Sequence, residues 1–551
     1  MGRRNTKTVV RLVAVAAVVC VMIGALAGCK PAQQTAQPKL VRFMLANTPN
    51  MDPATGSDEA SSATFCNLYD TLVFPNADGT VANSLATAHR VSADGLVWEF
   101  DLRQGVKFHS GNELTAEDVA FSMTRLTEIG EGFGYLFKGR VKACTAPSQY
   151  TVRFTLNEPF GPFRATLVRL YIVDKKTVVA NEAAGNYGTN GDYGKAWLQS
   201  NDAGSGPYAV TEFQQDQYLL ASRFDDYWDG FDENNPDQFK LLSSADPVTV
   251  KTMISRRELE ITSTYEPMEN YTAMDAIAGV DVARFAVGSL MSLTLNNQRP
   301  PTDDVHFRKA IAWAIDYATM VGQIYPGSLK ANSVVSRVVA GHDPTASSFT
   351  LDMDKALAEL KQSKYYSKLS QYPLEVAWIS ETPDREKLAL LIQANLTQLG
   401  ITVKVVKLPW LSLVDDSSKA ATTPLSATVL TAPDYTEAGS QLVARFRSKP
   451  VGSWERCEWV SDPAIDAAID AAIATTDLNA RLQKYKDIQK TLMDDCVTVP
   501  LFDQTDLIAY QSGYMVWAAA DQAKQGQPVV PVMGYLWYMR GIKIYPDRMP
   551  R

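Results

Sequence analysis

One stretch constrains this chain more than any other. Residues 8–28 are almost wholly apolar, interrupted by Arg11, and follow a positive start made by Arg3, Arg4 and Lys7. A run of this length approaches what is needed to span a hydrocarbon core. No second run of spanning length follows, so everything after it is expected to fold in water. The whole chain has 551 residues, 46% hydrophobic and 21% charged, which is the balance of a globular protein. That length corresponds to about three or four domains at roughly 150 residues each.

The apolar run closes on Leu26-Ala27-Gly28-Cys29. A basic start, an apolar stretch and small residues at its end are the parts of a secretory signal. The cysteine adds a thiol able to carry diacylglycerol, and the four residues resemble the lipobox of a bacterial lipoprotein signal. The alternative is an ordinary transmembrane anchor. On the lipobox reading, residues 1–28 are a signal peptide and the mature chain begins at the lipidated Cys29. It then works outside the cytoplasm, held to a membrane. Residues 30–39 (KPAQQTAQPK) are polar, with two prolines and three glutamines, and read as part of a flexible tether over 29–39.

The leader carries four cations and no acid, so its removal takes the net charge from −8 to near −12. That balance argues against nucleic acid or an anionic surface as partner. The cysteines are Cys20, Cys29, Cys66, Cys144, Cys457 and Cys496. Four remain after the leader and Cys29, enough for two disulfides in an oxidising compartment. Cys457 with Cys496 is the favoured pair, because the two flank one helical hairpin. No C-x-x-C occurs, so neither a redox motif nor a zinc knuckle is suggested.

Ordered structure is expected to begin at the strand pattern Leu40-Val41-Arg42-Phe43. Residues 85–160 read as strand-rich: Val97 to Leu102 and Tyr150 to Leu156 both alternate. Thr115-Ala116-Glu117-Asp118 resembles a capping box with Asp in place of Glu, opening a helix with Val119, Met123 and Leu126 on one face. The spacing of Phe307, Ile311, Ala314 and Ile315 predicts a helix over 303–323. A second helix over 384–399 buries Leu388, Leu391, Ile392, Leu396 and Leu399 and ends at Gly400, where a left-handed cap is needed. Ile401, Val403 and Val405 then alternate as a strand. Asp462-Pro463 and Asp477 start two further helices. Helices alternating with strands imply an α/β architecture.

A search for chemistry finds no G-x-S-x-G, no H-E-x-x-H and no phosphate loop. His89, His109, His306 and His342 are scattered, with no metal-ligand spacing. Gly130, Gly132 and Gly134 fail the dinucleotide pattern and read as a loop. Asp462, Asp466 and Asp470 share a helix face that reads as solvated. No catalytic residue, cofactor or metal is therefore expected. The chain's ten Trp, 23 Tyr and 20 Phe can form core or line a ligand cleft.

Several segments, in order, resemble one family. They are Asn50-Met51-Asp52-Pro53, Asn67-Leu68-Tyr69-Asp70-Thr71-Leu72, the stretch Trp98 to His109 (WEFDLRQGVKFH), and Leu114-Thr115-Ala116-Glu117-Asp118-Val119. Gly204-Ser205-Gly206-Pro207-Tyr208, Tyr227-Trp228, Asp304 to Ala310, Ile392 to Leu396 and Arg481 to Tyr485 follow. Each is weak alone. Together they resemble the extracytoplasmic solute-binding proteins of peptide and nickel ABC transporters, solute-binding family 5, over nearly all of the mature chain.

The resemblance implies an α/β fold of the two-lobed periplasmic-binding-protein type, in its large three-subdomain variety, with the ligand cleft between lobes. Lobe one is placed at 40–84, 204–287 and 506–551, with an extra subdomain at 85–203; lobe two is placed at 288–505. The implied function is the lipid-anchored binding component of an ABC importer, for dipeptides or oligopeptides, working by hinge closure and not as an enzyme. Its partners would be a small solute, the permease and ATPase, and the membrane through Cys29, with the protein itself a monomer. It would sit on the outer face of a Gram-positive membrane or in a periplasm.

Asp434, in Thr431-Ala432-Pro433-Asp434-Tyr435-Thr436-Glu437, falls where the family's peptide binders hold the ligand's α-amino group; it also reads as a turn residue beside Pro433. Tyr435 and Trp410 are the accompanying ligand contacts that the resemblance suggests. Leu430-Thr431 replaces the family's Gly-Trp, and Ser426 to Val429 lacks the basic residue some oligopeptide binders carry. An oligosaccharide, an opine or a metal chelate therefore stays open as ligand. A cell-wall hydrolase and a signalling receptor are the other readings.

Overall fold

The computed structural model describes residues 38–243, 246–264, 266–346, 348–382, 384–448 and 454–549. The leader, Cys20, Cys29 and the tether up to Gln37 lie outside the described residues. Among the described residues no helix is long and apolar enough to cross a membrane.

The first strand is Leu40–Leu45, with Val41 and Phe43 fully buried. It runs parallel to Gln238–Ser243, and Tyr218–Arg223 and Tyr208–Gln214 complete an antiparallel continuation of this four-stranded sheet. A second four-stranded sheet has the order Ala86–Val91, Val97–Leu102, Thr151–Leu156, Val141–Ser148, antiparallel throughout. Trp98, Phe100 and Leu102 point to one buried face, as their period of two requires. The helix Ala116–Ile129 packs beside this sheet. The Asp118 carboxylate accepts from the Thr115 amide at 2.8 Å and its hydroxyl at 2.9 Å, so the shortened capping box closes.

A six-stranded mixed sheet has the order Leu329–Lys330, Thr498–Tyr510, Asp281–Leu295, Ser426–Thr431, Leu374–Ile379, Val403–Leu408. Its two long antiparallel strands, Asp281–Leu295 and Thr498–Tyr510, outrun their neighbours. At one end they reach the first sheet through Ile261, which bridges Phe43 and Tyr510. Midway the register shifts between Ala286 and Leu290, where Gly288 has φ +79°. A β-bulge of this kind bends a strand.

The helix Asp384–Thr397 buries Leu388, Ile392 and Leu396, and Gly400 adopts φ +76° after a short turn. Pro463–Ile473 and Leu478–Asp494 start where Asp462 and Asp477 accept backbone amides. The helix expected over 303–323 is broken. Val305–Ala314 ends at Ile315, whose ψ of 131° is extended, and the Asp316 carboxylate accepts from Thr319 to start a new turn. Apolar spacing carries across this break because the second turn buries Tyr317 and Met320 in the same core.

The expected Cys457–Cys496 disulfide is not formed. Cys496 is a free thiol in the main core, whereas the Cys457 sulfur lies 3.3 Å from Ser417 Oγ in a separate apolar cluster with Leu413 and Val429. Flanking one hairpin in sequence does not bring two Cβ atoms within the short range a disulfide needs.

Candidate functional site

The sequence motifs converge on one buried polar node. Asp70 accepts hydrogen bonds from Ser205 Oγ at 2.9 Å, Tyr227 OH at 3.1 Å and Trp228 Nε1 at 3.1 Å. Burial pushes its carboxyl up to about 6, against those three donors. His109 places Nδ1 2.5 Å from Asp202 and Nε2 2.9 Å from the Gly206 carbonyl. Burial disfavours its cation, but Asp202, the Gly206 carbonyl and Asp70 together outweigh this and raise the pKa. Asn67 donates to the carbonyls of Ala63 and Trp537 and accepts from the Met539 amide.

The two glycines of Gly204-Ser205-Gly206 are required by packing. A Cβ on Gly204 would lie 1.8 Å from the Leu68 carbonyl oxygen, and one on Gly206 would lie 2.5 Å from the Leu68 carbonyl carbon. Further motif residues are absorbed the same way. Arg125 grips Asp52 through two bonds of 2.7 and 2.6 Å, and Arg481 grips Glu437 through two of 2.7 Å. These groups satisfy one another, which is what buried polar groups do when they hold a fold together.

A different arrangement surrounds Asp434. The turn Gly132–Leu136 presents Tyr135, 42% exposed, and the segment after the strand Ser426–Thr431 presents Asp434 and Tyr435 opposite it. The turn is tight because Gly134 rests on the Leu126 carbonyl, 2.8 Å from where a Cβ would stand. Arg140, Phe160 and Ser440 join these residues around a cavity of about 30 Å³. The Asp434 amide donates to Ser440 Oγ at 2.8 Å, and its carbonyl accepts from Arg169 Nε at 2.9 Å. Burial raises the pKa of its carboxyl, opposed by the Tyr135 hydroxyl, the Arg169 charge and Ser440. Among the described residues this carboxylate makes no ion pair. Tyr435 is buried at 3%, and burial also raises its phenol.

Two guanidinium groups stand by. Arg169 is fully buried over the Phe133 ring at 4.3 Å, donates from Nη1 to the Met533 carbonyl at 3.1 Å, and leaves Nη2 without a hydrogen-bond partner among the described residues. Arg140 is half-buried with its guanidinium 4.4 Å above the Phe160 ring, and burial lowers its pKa.

Asp434 and Tyr435 therefore come together, and Trp410 lies elsewhere. Its amide donates to the Glu381 carboxylate at 3.0 Å and its ring packs on the cluster containing Leu413 and Cys457, outside the cavity lining. Sequence reasoning missed Tyr135, Arg140 and Arg169. Arg169 did leave a signal, a lone charge inside the apolar run Leu167 to Val173. Among the described residues no group of three His, Cys, Asp or Glu side chains could hold a metal ion.

The chain matches, over residues 80–452, the family described as bacterial extracellular solute-binding proteins, family 5 middle. It belongs to that family. It is 29% identical over 492 residues to the probable D,D-dipeptide-binding periplasmic protein of Escherichia coli strain K12, covering 87% of this chain and 91% of that one. Its fold resembles the ABC transporter-associated periplasmic binding protein DppA of Helicobacter pylori, solved with the peptide STSA. The TM-score is 0.74 at 22% identity, covering 92% of this chain and 98% of that one. It likewise resembles the dipeptide-binding protein of Pseudoalteromonas sp. SM9913 solved with Met-Leu, with TM-score 0.72, 20% identity and coverages of 90% and 98%. The fold is thus the two-lobed α/β type of periplasmic binding proteins, whose family members bind solutes outside the cytoplasm.

Proposed function

We propose that this chain is the substrate-binding component of an ABC importer for short peptides, anchored by lipid on Cys29, with Asp434 holding the ligand's α-ammonium. The observation that carries the reading is the Asp434 carboxylate. It is aimed into a cavity, met by the hydroxyls of Tyr135 and Ser440, and balanced by no ion pair among the described residues. A carboxylate opposite an ammonium makes a charge-assisted hydrogen bond that gives orientation as well as affinity. The relatives that bind peptides support the solute class.

A volume of about 30 Å³ is close to one water's share of liquid. A peptide therefore enters only when the two walls part. In this reading lobe one is 40–84, 204–287 and 506–551, with 85–203 as its extra subdomain, and lobe two is 288–505. The two long strands cross between them, and the bulge at Gly288 is where the hinge bends. Ligand favours the closed form, and the permease reads that population shift. The protein performs this work as a monomer and without covalent chemistry.

Calorimetric titration with L-Ala-L-Ala, D-Ala-D-Ala and Ala₄ tests the solute class. The expected result is saturable binding of at least one peptide, with a smaller radius of gyration in its presence. No binding of any peptide, or binding without compaction, overturns the reading.

A further inference from the structure

We propose that Gly161 is the closure residue of the cleft: its backbone seats on the end of a lobe-two helix when the lobes shut, and a side chain at this position would hold them apart. This rests on the lobe assignment and hinge closure proposed above, which put Gly161 in lobe one and residues 473–476 in lobe two. The Gly161 amide donates to the Ile473 carbonyl at 2.6 Å. Ile473 ends the helix Pro463–Ile473, and the last carbonyls of a helix have no partner within it. A Cβ on Gly161 would stand 1.9 Å from the Thr475 carbonyl oxygen and 2.6 Å from Arg481 Nη1. Gly161 does not have a positive φ, so close approach and not backbone conformation excludes a side chain here.

The receiving surface is braced. Arg481 Nη1 donates to the Thr475 and Thr476 carbonyls at 2.8 and 3.0 Å, while its Nε and Nη2 grip Glu437 at 2.7 Å each. Arg481 and Glu437 are both buried, and Glu437 lies three residues after Asp434. The carbonyls that face Gly161 are thus tied to the segment that carries the proposed ammonium anchor. Phe160, next to Gly161 in the chain, lines the cavity with Asp434. One turn therefore supplies both a wall of the cavity and the contact that shuts it. Gly79 repeats the arrangement: a Cβ there would stand 2.6 Å from the Ala340 Cβ and 3.3 Å from the Thr436 carbonyl oxygen. One added methyl group is enough to prevent such a contact, because closely packed backbone does not yield.

The test compares wild type, Gly161→Ala, Gly161→Val and Gly541→Ala, a control whose added Cβ meets nothing within 4 Å. Each is titrated calorimetrically with L-Ala-L-Ala, D-Ala-D-Ala and Ala₄, and its radius of gyration and melting temperature are measured with and without peptide. Wild type and Gly541→Ala should bind and contract. Gly161→Ala should keep the wild-type melting temperature without peptide, bind the same peptide about tenfold or more weakly, and fail to contract fully; Gly161→Val should be weaker again. A Gly161→Ala protein that contracts and binds as wild type does overturns the assignment and leaves the peptide reading intact. So does one that melts lower without peptide or fails to fold, since the contact is then ordinary packing present in every state. A wild type that binds no peptide, or binds without contracting, removes the closure reading and the role of Gly161 with it.

Discussion

Two regions of this molecule use the same kinds of residue in opposite ways. Around Asp70 and His109, carboxylates, an imidazole, hydroxyls and an indole close on one another. Around Asp434, a carboxylate and the Arg140 guanidinium line one cavity without pairing, and the neighbouring Arg169 leaves Nη2 without a hydrogen-bond partner among the described residues. The first arrangement stabilises a fold, because Asp70, His109 and the groups that bond them satisfy one another. The second costs stability unless something from outside completes it. On the proposed reading, the difference separates residues that make the lobes from residues that receive a solute.

The comparison breaks first at the glycines. Gly204→Ala forces a Cβ to within 1.8 Å of a backbone oxygen, so it should lower stability by about 3–5 kcal/mol in urea unfolding. A loss under 1 kcal/mol would mean that the node is soft. Asp434→Ala should do the reverse, weakening dipeptide binding by about 2–5 kcal/mol in calorimetry. Its melting temperature should barely move.

Acidity sharpens the contrast. The folded pKa of Asp70 is raised, so its stabilising share is complete below the ordinary carboxylate range and is lost as pH rises through about 6. The shift corresponds to about 3 kcal/mol at most. His109, also raised, adds a loss of the same sign as pH climbs through its folded value. Unfolding free energy should therefore fall from pH 4 to neutrality, and Asp70→Asn should flatten the lower part of that slope. Binding should respond oppositely. On the proposed reading the ionised Asp434 is the ammonium's partner, and its pKa is raised, so affinity should drop on acidification at a pH above the ordinary carboxylate range. The smallest effect is expected at Trp410, whose ring packs outside the cavity. Trp410→Phe should leave peptide affinity unchanged, and a clear loss in the same titration would extend the site towards Glu381.

Much of the fold is legible along the chain because local rules act locally. Thr115 to Asp118 announces its helix by the side chains that bond the first amides, and Gly400 announces the end of another by its left-handed φ. The predicted continuity of 303–323 fails for a related reason. Apolar spacing reports which side is buried, and it does not sense that Asp316 draws the Thr319 amide into a fresh turn. The Cys457–Cys496 pairing fails because chain proximity says nothing about which cluster a thiol enters. The site is half legible. Asp434 and Tyr435 stand in a segment resembling a known pattern, whereas Arg140 follows an unremarkable glycine and carries no motif.

The sequence by itself determined the family, the α/β alternation, the capping signals and the motif residues that close around Asp70. It also set the small-residue and cysteine ending of the apolar N-terminal run, on which the proposed lipid anchor rests. Only the tertiary structure decided which charges are answered and which are left open. Asp52 finds Arg125 and Glu437 finds Arg481, but Asp434 meets Arg140 across a cavity with neither bonded to the other. Periodicity and spacing encode contacts a few residues apart. The balance of charge in a cleft is set by segments that meet only after the chain has folded.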